Sequence, residues 1–137
     1  MLEHILMVHN YYQSHAPSGE DSVFREDEKL LQSKGHKITL FTRHSDVIKE
    51  FLLPRKAALT WQITWSRESY IAIEEMIRLE KPDIVHVCNT FPLISPSIYY
   101  ACHKYGIPVV QTVQNYRLFC ASGVFFRENS VCEECRE

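Results

Sequence analysis

Three cysteines near the end of the sequence have the spacing of part of a metal site. Cys120 is followed, after eleven residues, by the Cys-x-x-Cys pair Cys132 and Cys135. A structural zinc site needs four thiolate or imidazole ligands in tetrahedral geometry, so a fourth ligand would come from beyond residue 137 or from a histidine such as His103. Two interpretations stay open: an incomplete structural zinc site, or thiols that are reduced or form an adventitious disulfide.

Polar side chains follow four short apolar runs, and ligands of open α/β sheets bind outside the carboxyl ends of the strands. Amide, imidazole and guanidinium groups of this kind suit hydroxyls and phosphates better than an apolar ligand. The alternative for any one of them is that loops are polar in general. The residues that follow the runs are His9, Asn10, Tyr11, Tyr12, Thr42, Arg43, His44, Asn89, Thr90, Phe91, Gln114, Asn115, Tyr116 and Arg117.

The loop before the first predicted helix contains a single glycine, Gly19, after Ser18. Neither the three-glycine dinucleotide fingerprint nor the Lys-Ser/Thr pair of a phosphate-binding loop is present, so a nicotinamide-dependent enzyme is not expected. Backbone amides at a helix N-terminus can still bind an anion. Glu20 and Asp21 follow directly, and their simplest role is to complement the helix dipole.

The elements that must position these groups alternate between strands and helices. Strands are predicted over residues 5–8, 38–41, 83–88 and 108–113, and helices over 20–34, 57–80 and 95–105, with an irregular polar segment over 43–54. A glycine or proline separates helix from strand at Gly35, Pro82 and Gly106, as in doubly wound sheets. The sequence therefore predicts one Rossmann-like α/β domain over 1–137, a parallel sheet flanked by helices.

Aromatic residues in the long predicted helix allow two interpretations. Trp61, Trp65 and Tyr70 could form a stripe that faces a membrane or an acceptor lipid, with basic residues nearby. The favoured interpretation is an amphipathic core helix whose aromatic rings cover one face of the sheet. Cys88 and Cys102 fall within predicted elements and are expected to be small core residues.

Composition excludes several classes of protein. The chain has 137 residues, 45% hydrophobic and 23% charged, which fits one packed domain rather than a disordered chain. Fifteen basic against seventeen acidic residues give a net charge of -2, so nucleic acid is not an expected partner. Residues 84–103 lack Asp, Glu, Lys and Arg, but their polar residues and prolines argue against a membrane span. The first residues show no export signal, and five cysteines fit reduced thiols, so a cytoplasmic location is expected.

Five segments, taken in order, resemble the N-terminal half of glycosyltransferase family 4: residues 7–12, 18–24, 35–36, 82–92 and 115–120. This resemblance implies a retaining, nucleotide-sugar-dependent enzyme with the two-domain GT-B fold. It also implies that this half binds the acceptor. A C-terminal Rossmann-like half, absent from these 137 residues, would bind most of the nucleotide sugar and carry paired glutamates.

The resemblance assigns roles to individual residues. Ser18 and Gly19 would approach the donor diphosphate, and Gln114 would occupy the catalytic position where the family usually has histidine. Glutamine can donate and accept hydrogen bonds but cannot exchange a proton near neutral pH. Cys88 also stands where histidine is common. The acceptor-binding residues would be His9, Asn10, His86, Asn89, Thr90, Asn115, Tyr116 and Arg117.

The function implied is transfer of a sugar from a nucleotide-sugar donor to a glycan or lipid-linked acceptor in cell-envelope polysaccharide synthesis. No cofactor is required beyond the structural zinc considered above, and a lipid-linked acceptor would bring the enzyme to the inner face of the membrane. The fragment alone is expected to fold without transferring sugar. The alternative is a non-catalytic binding or regulatory module that kept the fold after losing histidines at positions 88 and 114.

Overall fold

A four-stranded parallel sheet forms the centre of the computed structural model, which describes residues 2–15, 18–117, 119–120 and 122–134. The strands of the sheet are β1 (His4–Tyr11), β2 (Lys37–His44), β3 (Ile84–Asn89) and β4 (Val109–Gln111). The helices are α1 (Gly19–Ser33), α2 (Leu53–Gln62), α3 (Arg67–Glu80) and α4 (Ser97–Lys104), with a 3-10 helix over Ser45–Glu50. A separate antiparallel hairpin contains β5 (Phe126–Arg127) and β6 (Ser130–Val131). The predicted α/β fold, a Rossmann-like parallel sheet flanked by helices, is confirmed.

Strand β1 occupies the middle of the sheet, whose order is β2-β1-β3-β4. Its residues 5–10 are all buried, as expected of a parallel strand that is covered on both faces. Met7 packs in a cluster with Phe24 of α1, whereas Leu6 belongs to a larger cluster with residues of α3 and α4. Helix α1 therefore covers one face of the sheet, and α3 and α4 cover the other.

Strands β2 and β3 pair with opposite edges of β1, so the sheet extends from β1 to both sides. The carboxyl ends of β1 and β3 therefore flank a topological switch point, where open α/β sheets bind their ligands. The pairing also shifts there: Val8 is opposite Val87, but His9 is opposite Asn89, so Cys88 is an extra residue in β3. Bulges of this kind often re-aim side chains next to a functional site.

Two predicted strand ends are wrong, because β1 and β2 continue through polar residues. His9 and Asn10 lie within β1 instead of following it, and β2 extends to His44. Ladder hydrogen bonds use the backbone, so pairing continues from Asn10 with Arg43 to Tyr11 with His44 after the apolar run has ended. The segment predicted to be irregular contains the end of β2 and the 3-10 helix.

The single helix predicted over 57–80 is also wrong, because Ser66 starts a new helix. The Ser66 Oγ accepts a hydrogen bond from the Ser69 amide at 3.1 Å, which satisfies one of the free N–H groups of α3. The Ser66 amide donates to the Ser95 Oγ at 2.7 Å, which fixes this turn on the segment before α4. Helix α2 begins earlier than predicted, with Pro54 in its first turn, where a missing N–H is tolerated.

The tryptophans do not cover the sheet. Helix α2 has no buried residue, and Trp61 is 81% exposed. Trp65 is 49% exposed and packs against the rings of Tyr70 and Tyr100, so only Tyr70 reaches the edge of the core. The favoured interpretation of these aromatics is therefore wrong for both tryptophans, because α3 and α4 already fill that face. Cys88 and Cys102 are buried, as predicted.

None of the helices in the described part of the chain combines the length and the apolar character that crossing a membrane requires. The uncharged segment over 84–103 instead contains all of β3, the turn that follows it and most of α4.

Replacing Asn10 by alanine should destabilise the fold, because its buried side chain joins three segments. Its Nδ2 donates to the Tyr11 carbonyl (3.0 Å) and the Ser45 hydroxyl (2.8 Å), and its Oδ1 accepts from the Leu93 amide (3.3 Å). Loss of these bonds leaves buried groups unpaired, and we expect the free energy of unfolding to fall by about 1–3 kcal/mol. Urea denaturation measures this change. Gln62→Ala, at an exposed position, is the control and should stay within about 0.5 kcal/mol.

Candidate functional site

A polar cleft lies beyond the carboxyl ends of β3 and β4 and has a volume of about 180 Å³. Its walls come from the turn after β3, the loop after β4 and the start of α4. The sequence-predicted residues that line it are Asn89, Thr90, Gln114, Asn115 and Arg117. Phe91, which the sequence places at the end of the third strand, also lines it, as do Tyr99 and Thr112, which the sequence did not indicate. The cleft combines amide, hydroxyl and guanidinium groups with aromatic rings, a set that can bind a polyhydroxylated ligand.

A hydrogen-bond network joins one side of the cleft to the start of α1. The Glu20 carboxylate accepts from the Asn115 Nδ2 at 2.8 Å and from the Tyr12 hydroxyl at 3.2 Å. The Arg117 guanidinium donates to the same hydroxyl at 2.8 Å and lies 4.5 Å from the centre of the Phe91 ring. Burial, together with the Glu20 charge, raises the pKa of Tyr12, so its hydroxyl keeps its proton. Glu20 therefore does more than complement the helix dipole, because it fixes the loop that carries Gln114.

The N-terminus of α1 opens beside this network. Gly19 is the first residue of α1, and a Cβ there would meet no atom within 4 Å, so packing within the described chain does not require glycine. The Ser18 hydroxyl is buried and has no hydrogen-bond partner among the described residues. Backbone amides at a helix N-terminus can bind an anion.

A buried histidine–carboxylate pair holds this helix end in place. The His9 Nε2 lies 2.9 Å from the Asp21 Oδ1, and the His9 ring stacks on Phe24. The Asp21 carboxylate also accepts from the Tyr12 amide at 3.3 Å and the Ser18 amide at 3.4 Å, so it ties both ends of the loop between β1 and α1. Since His9 is 0% exposed, it supports the site from below and does not face the cleft. The sequence alone did not predict this role of Asp21. The one pattern that could have indicated it is the capping-box spacing, with Asp21 three residues after Ser18.

Two buried asparagines shape the turn after β3. The Asn89 Nδ2 donates to the Asn10 carbonyl at 3.0 Å, and its Oδ1 accepts from the Phe91 amide at 3.0 Å. Asn10 binds the Leu93 amide from the other side. Asn89 therefore lines the cleft and also fixes its wall. Asn10 is 1% exposed and acts only as support.

His86 and Tyr116 do not join the other predicted residues. The His86 Nε2 lies 2.7 Å from the Oγ1 of Thr112, which follows β4. His86 also lines a separate apolar groove of about 280 Å³, together with residues of α1. Burial lowers the pKa of His86, which keeps the ring neutral near neutral pH. Tyr116 is 56% exposed and packs on Phe125 instead of lining the cleft.

The tail cysteines are only partly described. The Cys120 Sγ lies 3.1 Å from the Ser122 Oγ, and hydrogen bonds from Ser122 and from backbone groups lower the pKa of Cys120 to about 7, which favours the thiolate that metals bind. Cys132 is half-buried at the end of the hairpin, and its amide donates to the Phe125 carbonyl. Cys135 lies outside the described residues. Zinc binding by these cysteines stays a prediction.

The fold and the cleft define a Rossmann-like α/β domain with a cleft of mixed polar and aromatic lining beyond the carboxyl ends of β3 and β4. Comparison with protein families assigns it more closely: the chain belongs to glycosyltransferase family 4, whose model, described as Glycosyltransferase Family 4, matches residues 24–120. The match includes the cleft-lining residues but begins after Ser18 and Gly19. No curated protein and no solved structure matches the chain. The predicted family is confirmed.

Protonation of His9 should couple stability to pH. Burial lowers the pKa of His9 below its ordinary value of 6.5, so below about pH 6.5 the unfolded chain binds a proton that the folded chain does not. We expect the free energy of unfolding to fall between about pH 7.5 and about pH 5.5. His9→Gln keeps an N–H donor for Asp21 and should reduce this slope, as measured by denaturation at each pH. His103→Gln, at an exposed position, is the control, and equal slopes in the wild type and His9→Gln would contradict the prediction.

Proposed function

We propose that this domain forms the acceptor side of the active-site cleft of a glycosyltransferase. The enzyme transfers a sugar from a nucleotide-sugar donor to a glycan or lipid-linked acceptor, in keeping with a role in cell-envelope polysaccharide synthesis. The observation that carries this proposal is the cleft beyond the carboxyl ends of β3 and β4, lined by amide, hydroxyl and guanidinium groups, in a chain that belongs to a glycosyltransferase family. Its lining can pair with many hydroxyl groups at once.

Each wall of the cleft has a role in this proposal. Thr90 and Asn115 hydrogen-bond acceptor hydroxyls, Asn89 holds the turn that carries Thr90, and Arg117 over the Phe91 ring closes one side. Gln114 orients the reacting sugar through its amide. In a retaining reaction of this type, the leaving diphosphate takes the proton of the acceptor hydroxyl, so Gln114 is not needed as a base. Positioning of this kind accounts for a large part of the rate in two-substrate reactions.

The donor diphosphate lies at the start of α1 in this proposal. Gly19 supplies its backbone amide there, beside the N-cap residue Ser18. These contacts are few, so the rest of the nucleotide sugar binds a second Rossmann-like domain of the GT-B type that lies outside these 137 residues. The isolated domain then binds donor only at millimolar concentrations or above, which corresponds to about 4 kcal/mol.

One observation favours the alternative of a non-catalytic binding or regulatory module. The family's usual histidines are replaced by Cys88 and Gln114, and burial raises the pKa of Cys88 to about 12, so neither side chain exchanges protons near neutral pH. The coding sequence after residue 137 separates the two proposals. A second βαβ half with two glutamates eight positions apart favours the enzyme, and a stop codon favours the module.

Peripheral membrane contact through α2 would bring a lipid-linked acceptor to the cleft. Leu53 and Trp61 are 82% and 81% exposed, although α2 is a regular helix. Residues 51–67 contain three basic side chains and no acidic one. Exposed apolar side chains beside basic ones are typical of helices that lie on an anionic lipid surface.

Gly19→Ala should separate donor binding from folding. A Cβ at this position meets nothing in the described chain, and alanine is the better helix residue, so stability should stay the same or rise by up to about 1 kcal/mol. Saturation-transfer NMR with uridine, guanosine and adenosine diphosphate sugars should show weak binding to the wild type and loss of that binding in the variant. Ser22→Ala, at an exposed position in α1, is the matched control. Unchanged binding in Gly19→Ala removes the diphosphate from this helix end, and micromolar binding by the wild type contradicts the proposed second domain.

The double variant Leu53→Ser/Trp61→Ser should weaken binding to anionic vesicles by about tenfold or more, because two apolar side chains no longer leave water. Co-sedimentation with phosphatidylglycerol-containing vesicles measures this, and pure phosphatidylcholine vesicles should bind less. The matched control is Leu2→Ser/Leu79→Ser, which removes two equally exposed leucines outside α2. Equal loss in both double variants would contradict a specific role for α2.

A further inference from the structure

Helix α1 carries a carboxylate on the side that faces the sheet. Phe24, Asp27 and Leu31 are spaced to share one face of the helix, and Phe24 and Leu31 pack with the apolar residues of β1 and β3. Asp27 is half-buried there. Among the residues that the structure describes, its carboxylate has no hydrogen-bond or ion-pair partner. This carboxylate is therefore available to bind a cation.

Two further metal-binding side chains reach the same place from β3. His86 and Cys88 are two residues apart and project from the same face of the strand. The His86 Nε2 and the Cys88 Sγ are 3.7 Å apart, and one ligand atom from each of Asp27, His86 and Cys88 lies within 4.8 Å of the others. A tetrahedral zinc ion with bonds of about 2.0 Å to nitrogen and 2.3 Å to sulfur places those two ligand atoms about 3.5 Å apart.

We propose that Asp27, His86 and Cys88 form a binding site for Zn²⁺ or a similar borderline divalent cation. Imidazole and thiolate ligands favour zinc over magnesium or calcium, which prefer all-oxygen sites. Cys88 binds as the thiolate and releases its proton to solvent. The metal replaces the hydrogen bond between His86 and the Thr112 hydroxyl, and a water molecule takes the fourth position.

A metal ion at this site would link helix α1 to strand β3. It joins α1 to β3 at the bulge residue Cys88, which also lines the sugar cleft. The open side faces the apolar groove lined by Ile5, Leu30 and Val110. A bound ion therefore clamps α1 to the strand beside which the cleft opens. This site is separate from the tail cysteines and does not depend on glycosyl transfer.

Cobalt titration of the chelator-treated 137-residue chain tests the site. We expect one equivalent of Co²⁺ to give the visible absorption of a tetrahedral complex and a near-ultraviolet thiolate-to-cobalt band, both removed by one equivalent of Zn²⁺. Cys88→Ser should abolish the thiolate band. Asp27→Asn keeps the shape of a half-exposed side chain and should weaken cobalt affinity by about tenfold or more. Cys102→Ser should bind cobalt like the wild type, and Cys132→Ser, which removes one of the tail cysteines, should keep the band that Cys88→Ser removes.

Three results of the cobalt titration would contradict the proposal, and each can be distinguished from the others. The proposal is wrong if the chain does not bind cobalt, if the thiolate band persists in Cys88→Ser, or if it disappears in Cys132→Ser, which would place the metal on the tail. Circular dichroism establishes whether each variant is folded. If Cys88→Ser is unfolded, Asp27→Asn decides, and unchanged cobalt affinity in that folded variant overturns the proposal.

Discussion

The buried contact between His9 and Asp21 is the interaction on which the site depends. It joins the central strand to the first turn of α1, and the same carboxylate holds the amides at both ends of the intervening loop. The helix N-terminus is thereby fixed relative to the carboxyl edge of the sheet. Because both side chains are removed from water, an unpaired partner would be unfavourable, and the loop has little freedom to adopt another arrangement.

The same principle extends across the cleft. The Asn10 side chain and carbonyl hold the turn after β3, and Glu20 holds the loop after β4 through Asn115. Polar groups at three strand ends are thus fixed by other polar groups that a ligand does not touch. Preorganisation of this kind lets a cleft orient two substrates without first ordering its own walls.

The sequence predicts the layers of this fold better than the roles of its polar residues. Apolar runs located all four strands of the sheet, because burial of a parallel strand leaves a continuous hydrophobic pattern. The periodicity over 57–80 concealed the break at Ser66, whose capping depends on local hydrogen bonds that a hydrophobic pattern does not contain. Gln114 and Asn115, predicted at a strand end, line the cleft, whereas His9 and Asn10, predicted at the same edge, are buried. Only tertiary pairing distinguishes a polar group that faces a ligand from one that supports it.

Helix α2 differs from every other helix of the domain in having no buried residue. Isolated helices of this length are marginal in water, since few hydrogen bonds offset the nucleation of the first turn. Its amides should therefore exchange hydrogen with solvent through local opening, long before the sheet unfolds. Helix α2 is therefore expected to open separately from the rest of the domain, and its helical population should rise when another surface covers it and fall when that surface is removed.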